Sequence, residues 1–357
     1  MKKVDISVII PMYRAQKTVR AAIDSILSQP IENLEIICVD DGSDDSTPQI
    51  VKEYADKDSR IVLISQKNLY AGVARNNGLD RAQGEYVTFL DADDTFLDGA
   101  LQKMYAQAKK HDLDFLKAGF VYLDTKTNEK YRTLYSMNSA IGAFDRGRIL
   151  DLKKKPLRLL NIADVPWNAI YKRSFLAENG IRFNTLQCVN DHSFFIDCLL
   201  KAKRIMVKEY PVALYRVEQS DSLVGGKAKN FENQIASYHI VKKLCCGADE
   251  KLRKTIMERE LYGIFSWYTG FGKQNENFPE LTQKMKEFLL EFDESDVTKD
   301  FIESFAYSKI YYDFKYGTAP NKQPGKIKKA LDCYKEHGLK YTIARLTNKE
   351  RKYKSGL

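Results

Sequence analysis

Apolar positions in the first hundred residues fall into short runs separated by amphipathic stretches. VDISVII (Val4 to Ile10) reads as a buried strand, and TVRAAIDSILSQ places Val19, Ala22, Ile23, Ile26 and Leu27 on one helical face. LEIICVD predicts a second strand. STPQIVKEYADK predicts a helix with Thr47 as N-cap and Pro48 at its first position. RIVLIS is a third strand, AGVARNNGLDRAQ a helix, and EYVTFL a fourth strand. Strands alternating with helices imply an α/β fold: a Rossmann-like, mostly parallel sheet with helices on both faces. Ligands of such sheets bind beyond the carboxyl ends of the strands.

After Gly99 the pattern loosens. ALQKMYAQAKKH predicts a helix and DFLKAGFVYL a strand, and residues 124–160 read as an inserted loop and helix region. VPWNAIYKRSFLAENGIRF and CVNDHSFFIDCLLKAKRI return to order, and YPVALYRV is the last clear strand. From about Ala228 the pattern is helical and rich in aromatics, as in ELYGIFSWYTGF. A boundary at Gly225-Gly226 therefore divides a catalytic domain, 1–225, from a smaller all-helical domain, 226–357. With 357 residues, 44% of them hydrophobic, the chain is long enough for both.

Composition excludes several classes. No apolar run reaches the length of a membrane span, and Asp5 and Pro11 interrupt the opening too early for a signal peptide. The six cysteines are scattered and the four histidines irregular, so a reduced, cytoplasmic protein without a zinc site is expected. The net charge of +9 is uneven: Lys322 to Leu357 carries eleven Lys and Arg against three Asp and Glu. A nucleic-acid enzyme more often spreads basic residues around its cleft, so no nucleic-acid partner is expected. A basic end on a near-neutral body fits an anionic membrane surface or a solvated helix.

Candidate chemistry lies at the strand ends. The first strand ends in PMYR, where a dinucleotide fold would carry G-x-G-x-x-G, which argues against NAD. The second ends in VDDGS and the fourth in LDADD. Asp41 can accept a hydrogen bond from a base N–H or a ribose hydroxyl. Asp91 and Asp93, two apart on a turn, can hold a hard divalent cation that bridges a diphosphate. Arg75, on the preceding helix, adds positive charge nearby.

The ordered set of Ile6–Pro11, EIICVDDGSDDST and GVARNNGLDRAQGEYVTFLDADD resembles the family 2 glycosyltransferases, strongly over residues 4–100 and fairly to about 225. The resemblance implies the GT-A fold and an inverting transfer from a nucleotide-diphosphate sugar, mostly UDP-linked, with Mn²⁺ or Mg²⁺. It further implies that Pro11 and Tyr13 line the base pocket, that Asp41 reads uracil, and that Asn68 and Arg75 lie beside the nucleotide. Asp91 would contact the ribose or the metal, and Asp93 would ligate the metal directly. The family's acidic pair, usually Glu-Asp, matches Asn190-Asp191 here, which leaves Asp191 as the general base; the plain alternative is a helix N-terminal charge. A family histidine near the metal is matched by Glu218, a third ligand or a solvated strand-end charge, and Arg14 replaces a common Asn. The Q-x-x-R-W motif of processive members is absent, so a single-addition enzyme is expected.

The setting implied is surface-polysaccharide synthesis on a glycan or polyprenyl-linked acceptor, at the inner face of the cell membrane. Two rival readings stand beside it. A sugar-phosphate nucleotidyltransferase would need a Gly-rich basic loop where PMYRAQKTV stands, and a degenerate nucleotide-sugar-binding scaffold finds its foothold in Asn190. Trp167 and Trp267 are sugar platforms or core aromatics. In the tail, Ile327, Ala330, Leu331 and Tyr334 at helical spacing among lysines form a stripe suited to anionic lipid or to packing on the catalytic domain.

Overall fold

The computed structural model describes residues 3–217, 230–271, 278–317 and 353–354. Glu218, the boundary at Gly225-Gly226 and the basic tail up to residue 352 lie outside these. The alternating half of the chain folds as expected: β1 (Ile6–Met12), α1 (Val19–Leu27), β2 (Leu34–Asp40), α2 (Thr47–Ala55), β3 (Ile61–Ser65), α3 (Tyr70–Arg81) and β4 (Tyr86–Phe89). β1 lies between β2 and β4, and β3 flanks β2, all parallel, so three strand ends bearing Met12, Asp40 and Phe89 point the same way. One detail differs. Thr47 is the first residue of α2 rather than its cap, because its hydroxyl accepts from the Ala15 N–H at 2.8 Å while Asp45 accepts from the Thr47 N–H at 2.9 Å.

The second half of the sheet is mixed. β5 (Thr95–Phe96) follows the acidic turn, and α4 (Ala100–Lys110) leads to β6 (Phe115–Asp124) and β7 (Lys130–Arg132). α5 (Pro156–Leu160), β8 (Ala169–Lys172), α6 (Arg173–Glu178), α7 (Asn190–Lys201) and β9 (Ile205–Val217) complete it. β8 is antiparallel to both β4 and β6, and β9 runs parallel to β6 and antiparallel to β5. β9 is longer than its sequence signal, since Pro211 falls at a register shift opposite Gly119, where a lost ladder hydrogen bond is tolerated. β7 lies in the stretch read as loop and helix. One tyrosine between two basic residues is too short a run to give a strand signal; the strand is held by its pairing and by the Tyr122–Tyr131 stack at 5.1 Å.

β1 shows how the sheet divides two cores. All seven of its residues are buried, yet Ile6, Val8 and Ile10 join the cluster with α1, α2 and α4, while Ile9 faces α3. The Ile9 face also carries α8 (Phe231–Leu244), α9 (Glu250–Phe271), α10 (Phe278–Glu291), α11 (Lys299–Ser304) and α12 (Ser308–Tyr316). Phe231, Val241, Leu261 and Phe265 pack in one apolar cluster with Phe194 and Ile196 of α7. Among the described residues after 230 the elements are helical, as expected, apart from β10 (Tyr353–Lys354), a two-residue strand antiparallel to β7. No helix among the described residues is long and apolar enough to cross a membrane.

Candidate active site

The turn after β4 carries Asp91, Asp93 and Asp94, and the three face different surroundings. Asp93 is exposed and Asp91 half-buried, whereas Asp94 is 1% exposed. One Asp94 oxygen accepts from the Arg216 N–H of β9 at 2.9 Å, and the other is buried without a hydrogen-bond partner. Burial, with the charges of Asp93 and Asp91, holds this carboxyl well above the usual range. Asp94 thus pins the turn to β9.

Arg75 is the centre of the site. It sits on α3, 3% exposed, and its Nη2 donates to Asp91 Oδ1 at 2.6 Å. Its Nη1 donates to Asp191 Oδ1 and to Asn190 Oδ1, both at 2.8 Å. The Phe183 ring lies 5.3 Å from the guanidinium. Burial alone would lower its pKa; Asp191 and Asp91 outweigh that and keep it charged. The family resemblance implies that Arg75 lies beside the nucleotide. In the fold it ties the acidic turn to the first turn of α7, about a hundred positions further along the chain.

Two backbone features bring α7 there. Val189, immediately before the helix, has φ +61°, a conformation that β-branched residues rarely adopt. Gly72 of α3 faces the same loop: a Cβ there would lie 2.2 Å from the Asn184 carbonyl oxygen and 3.2 Å from Asn190 Cβ. Asp191 therefore opens onto the cleft with about a third of its side chain accessible. Burial raises its pKa to about 6; Arg75 lowers it, and Asp91 and Asp164 add to the rise.

The residues expected around the nucleotide lie along the ends of β1 and β2. Asp41 is buried, and its Oδ1 accepts from Gln66 Nε2 at 2.7 Å and from the Leu69 N–H at 2.8 Å. Tyr13 is 45% exposed with the Arg14 guanidinium 5.1 Å from its ring centroid, and Arg14 is paired with Asp44. Asn68 is exposed in the loop before α3. Pro11 is buried inside β1 opposite Val39. Of the two tryptophans, Trp167 is a core residue, 1% exposed and stacked on Tyr215 at 5.3 Å. Trp267 is half-buried and stacked on Phe231 at 5.6 Å.

No group of three or more His, Cys, Asp or Glu suited to a metal occurs among the described residues. The acidic turn nevertheless fits a hard divalent ion in its donor chemistry. It carries the carboxylates of Asp91 and Asp93, whose charges add to the rise of the buried Asp94 carboxyl, a crowding of negative charge that a cation would relieve. Two carboxylates suffice where phosphates and water complete the shell. Nothing in the local sequence marks Gly72 or Phe183, because AGVARNNG does not show what approaches its first glycine.

Comparison with known proteins agrees with this architecture. Residues 7–180 match the family model for glycosyl transferase family 2. The relative named "Putative glycosyltransferase EpsH", from Bacillus subtilis (strain 168), is 28% identical over 237 residues, covering 65% of this chain and 67% of EpsH. The matched stretch spans 51–62% of two further curated relatives. A relative from Campylobacter jejuni, named GalNAc(5)-diNAcBac-PP-undecaprenol beta-1,3-glucosyltransferase, is 31% identical over 242 residues, covering 67% of this chain and 73% of its own. Among solved structures, S. aureus TarS 1–349 in complex with UDP superposes with a TM-score of 0.65 at 19% identity, covering 97% of this chain and 92% of TarS, which establishes the GT-A fold. By family model and by its curated relatives, the chain belongs to glycosyl transferase family 2 and is a glycosyltransferase.

Proposed function

We propose that the protein is an inverting, metal-dependent, non-processive transferase that moves one sugar from a UDP-linked donor to a hydroxyl of a glycan or polyprenyl-linked acceptor. The observation that carries this reading is the Arg75 bridge, which puts Asp191 in the same cleft as the acidic turn, within one guanidinium of Asp91. Asp191 is the base. Its pKa of about 6 leaves it ionised at neutral pH yet basic enough to take a proton from an acceptor hydroxyl. The hydroxyl oxygen then forms its bond to the anomeric carbon as the bond to the diphosphate oxygen breaks on the opposite face, so an α-linked donor gives a β-linked product.

Asp93, with Asp91, would hold a Mn²⁺ or Mg²⁺ ion, which when bound neutralises the departing diphosphate. Asp41, its Oδ1 fixed by Gln66 and Leu69, offers Oδ2 to the uracil N–H, with Tyr13 beside the base and Asn68 at the rim. Pro11 fixes the pocket floor. TarS was crystallised with UDP and with UDP-GlcNAc, which favours a UDP-linked donor. The undecaprenol-linked acceptor named for the Campylobacter relative favours a lipid-linked acceptor, and with it a peripheral site at the inner membrane face.

The test is a screen of nucleotide sugars for Mn²⁺-dependent release of nucleoside diphosphate, followed by NMR of the product's anomeric proton. Release from a UDP-sugar with a β-linked product is expected. Retention of configuration, or full turnover with EDTA, overturns the mechanism.

A further inference from the structure

His192 follows Asp191 in the first turn of α7, and its ring is held on both sides. Nδ1 lies 2.8 Å from Asp164 Oδ2, and Nε2 lies 2.8 and 2.9 Å from the two oxygens of Glu260. Asp164 comes from the chain before β8 and is itself fixed by the Tyr135 hydroxyl, which donates to its Oδ1 at 2.6 Å. Glu260 lies in the middle of α9, 8% exposed, with Arg259 Nη1 at 3.4 Å. The cluster is thus drawn from three separate stretches of chain and is largely buried.

Its chemistry is constrained by counting donors. A neutral imidazole has one N–H and one lone pair, and here both nitrogens face carboxylates. A lone pair turned toward a carboxylate would repel it, so the ring is held as the imidazolium with both N–H groups donating. Burial works against this charge, and Glu260 and Asp164 outweigh it, raising the ring to about 9. A cation in the first turn of a helix opposes the helix dipole. Helix stability is therefore no reason for the residue to be here. What the arrangement does achieve is a fixed orientation of that turn, one residue from the carboxylate that faces the cleft.

We propose that His192 is a positioning residue for Asp191, clamped between Asp164 and Glu260, and that Glu260 makes the C-terminal helices part of the machinery that aims the base. The proposal rests on the reading of Asp191 as the base. Rotation of α7 about its axis would break two charge-assisted hydrogen bonds at once, so Asp191 stays aimed whether or not an acceptor is present. Glu260 is carried by α9, whose Leu261 and Phe265 pack in the same apolar cluster as Phe194 and Ile196 of α7, so the clamp is backed by rigid packing.

The experiment compares His192→Ala, Glu260→Ala, Glu260→Gln and Asp191→Asn in the full chain. UDP affinity is measured by calorimetry, and kcat and KM by release of UDP from UDP-GlcNAc with Mn²⁺, water acting as acceptor. The two alanine variants at His192 and Glu260 are expected to lose kcat by about tenfold or more with UDP affinity and donor KM within about twofold of the parent. Glu260→Gln, whose amide N–H can meet the ring nitrogen, is expected to recover kcat to within about threefold. A parental kcat in Glu260→Ala, or parallel loss of kcat and UDP affinity in both alanine variants, overturns the clamp. An unchanged rate in Asp191→Asn instead overturns the base reading on which it rests. Because His192→Ala can fail to fold, a second measurement uses the unmodified protein. ¹⁵N-histidine NMR is expected to show one ring doubly protonated at pH 7.5 that becomes titratable in Glu260→Gln, and four neutral rings in the parent at that pH overturn the proposal.

Discussion

In the proposed mechanism Asp191 acts as a base while bonded to an arginine, and the balance is set by burial. An exposed carboxylate paired with Arg75 would be a weak base; lifted to about 6, it keeps proton affinity without being protonated at neutral pH. Asp191→Asn should retain UDP binding by calorimetry while turnover falls by roughly 10²–10⁴-fold. The same shift sets a pH limb. Activity of the parent should be full above the pKa and fall as pH drops below about 6, where the carboxyl takes up its proton. A flat profile to pH 5 would assign the base to another group. Arg75 is the opposite case, a buried charge whose worth is what it compensates. Arg75→Met should destabilise by roughly 2–4 kcal/mol in urea denaturation, the lower half being expected because both carboxylates keep some contact with water.

At the scale of elements, the site is a meeting of α3, the turn after β4 and the start of α7. Gly72 is the contact that permits it. Replacing a helical glycine with alanine ordinarily stabilises by about 0.5–1 kcal/mol. Gly72→Ala should do the reverse, by roughly 1–3 kcal/mol, because the added Cβ would lie 2.2 Å from the Asn184 carbonyl oxygen and the loop must retreat. Denaturation of this single variant checks the approach of α3 to α7, and a gain in stability would refute it. The acidic turn has a division of labour that D-x-D-D spacing does not reveal. Asp93→Ala should abolish transfer and most Mn²⁺-dependent UDP affinity with the melting point little changed, since Asp93 is exposed. Asp94→Ala should lower the melting point, because the Arg216 N–H of β9 loses its acceptor.

Over the whole molecule, the sheet separates two apolar cores, and the helices after residue 230 complete one of them with α7. The proposed lipid-linked acceptor would require the protein to reach the membrane, and the eleven Lys and Arg after residue 321 would supply a means. Anionic lipid would attract such a segment by about 1 kcal/mol per basic residue near the surface. Co-sedimentation with anionic vesicles at low salt should therefore require residues 326–357. Equal binding after their removal, or no binding by the intact chain, would show that the stripe serves packing.

The local code was legible wherever one period dominates. β2 runs from Leu34 to Asp40 as its apolar run predicts, and the acidic strand ends announce themselves because carboxylates rarely follow buried strands without a counter-charge. Asp91 and Asp191 were both singled out from sequence. That Arg75 joins them was not readable, since it depends on α7 returning to α3 across more than a hundred residues, a matter of packing rather than pattern. β7 escaped because three residues, Lys130 to Arg132, are too short a run to show a period and form a strand only when a neighbour offers its hydrogen bonds. His192 escaped for the same reason in another form. A histidine after an aspartate has no meaning by itself, and its charge is decided by Asp164 and Glu260, which only the tertiary fold sets on either side of its ring.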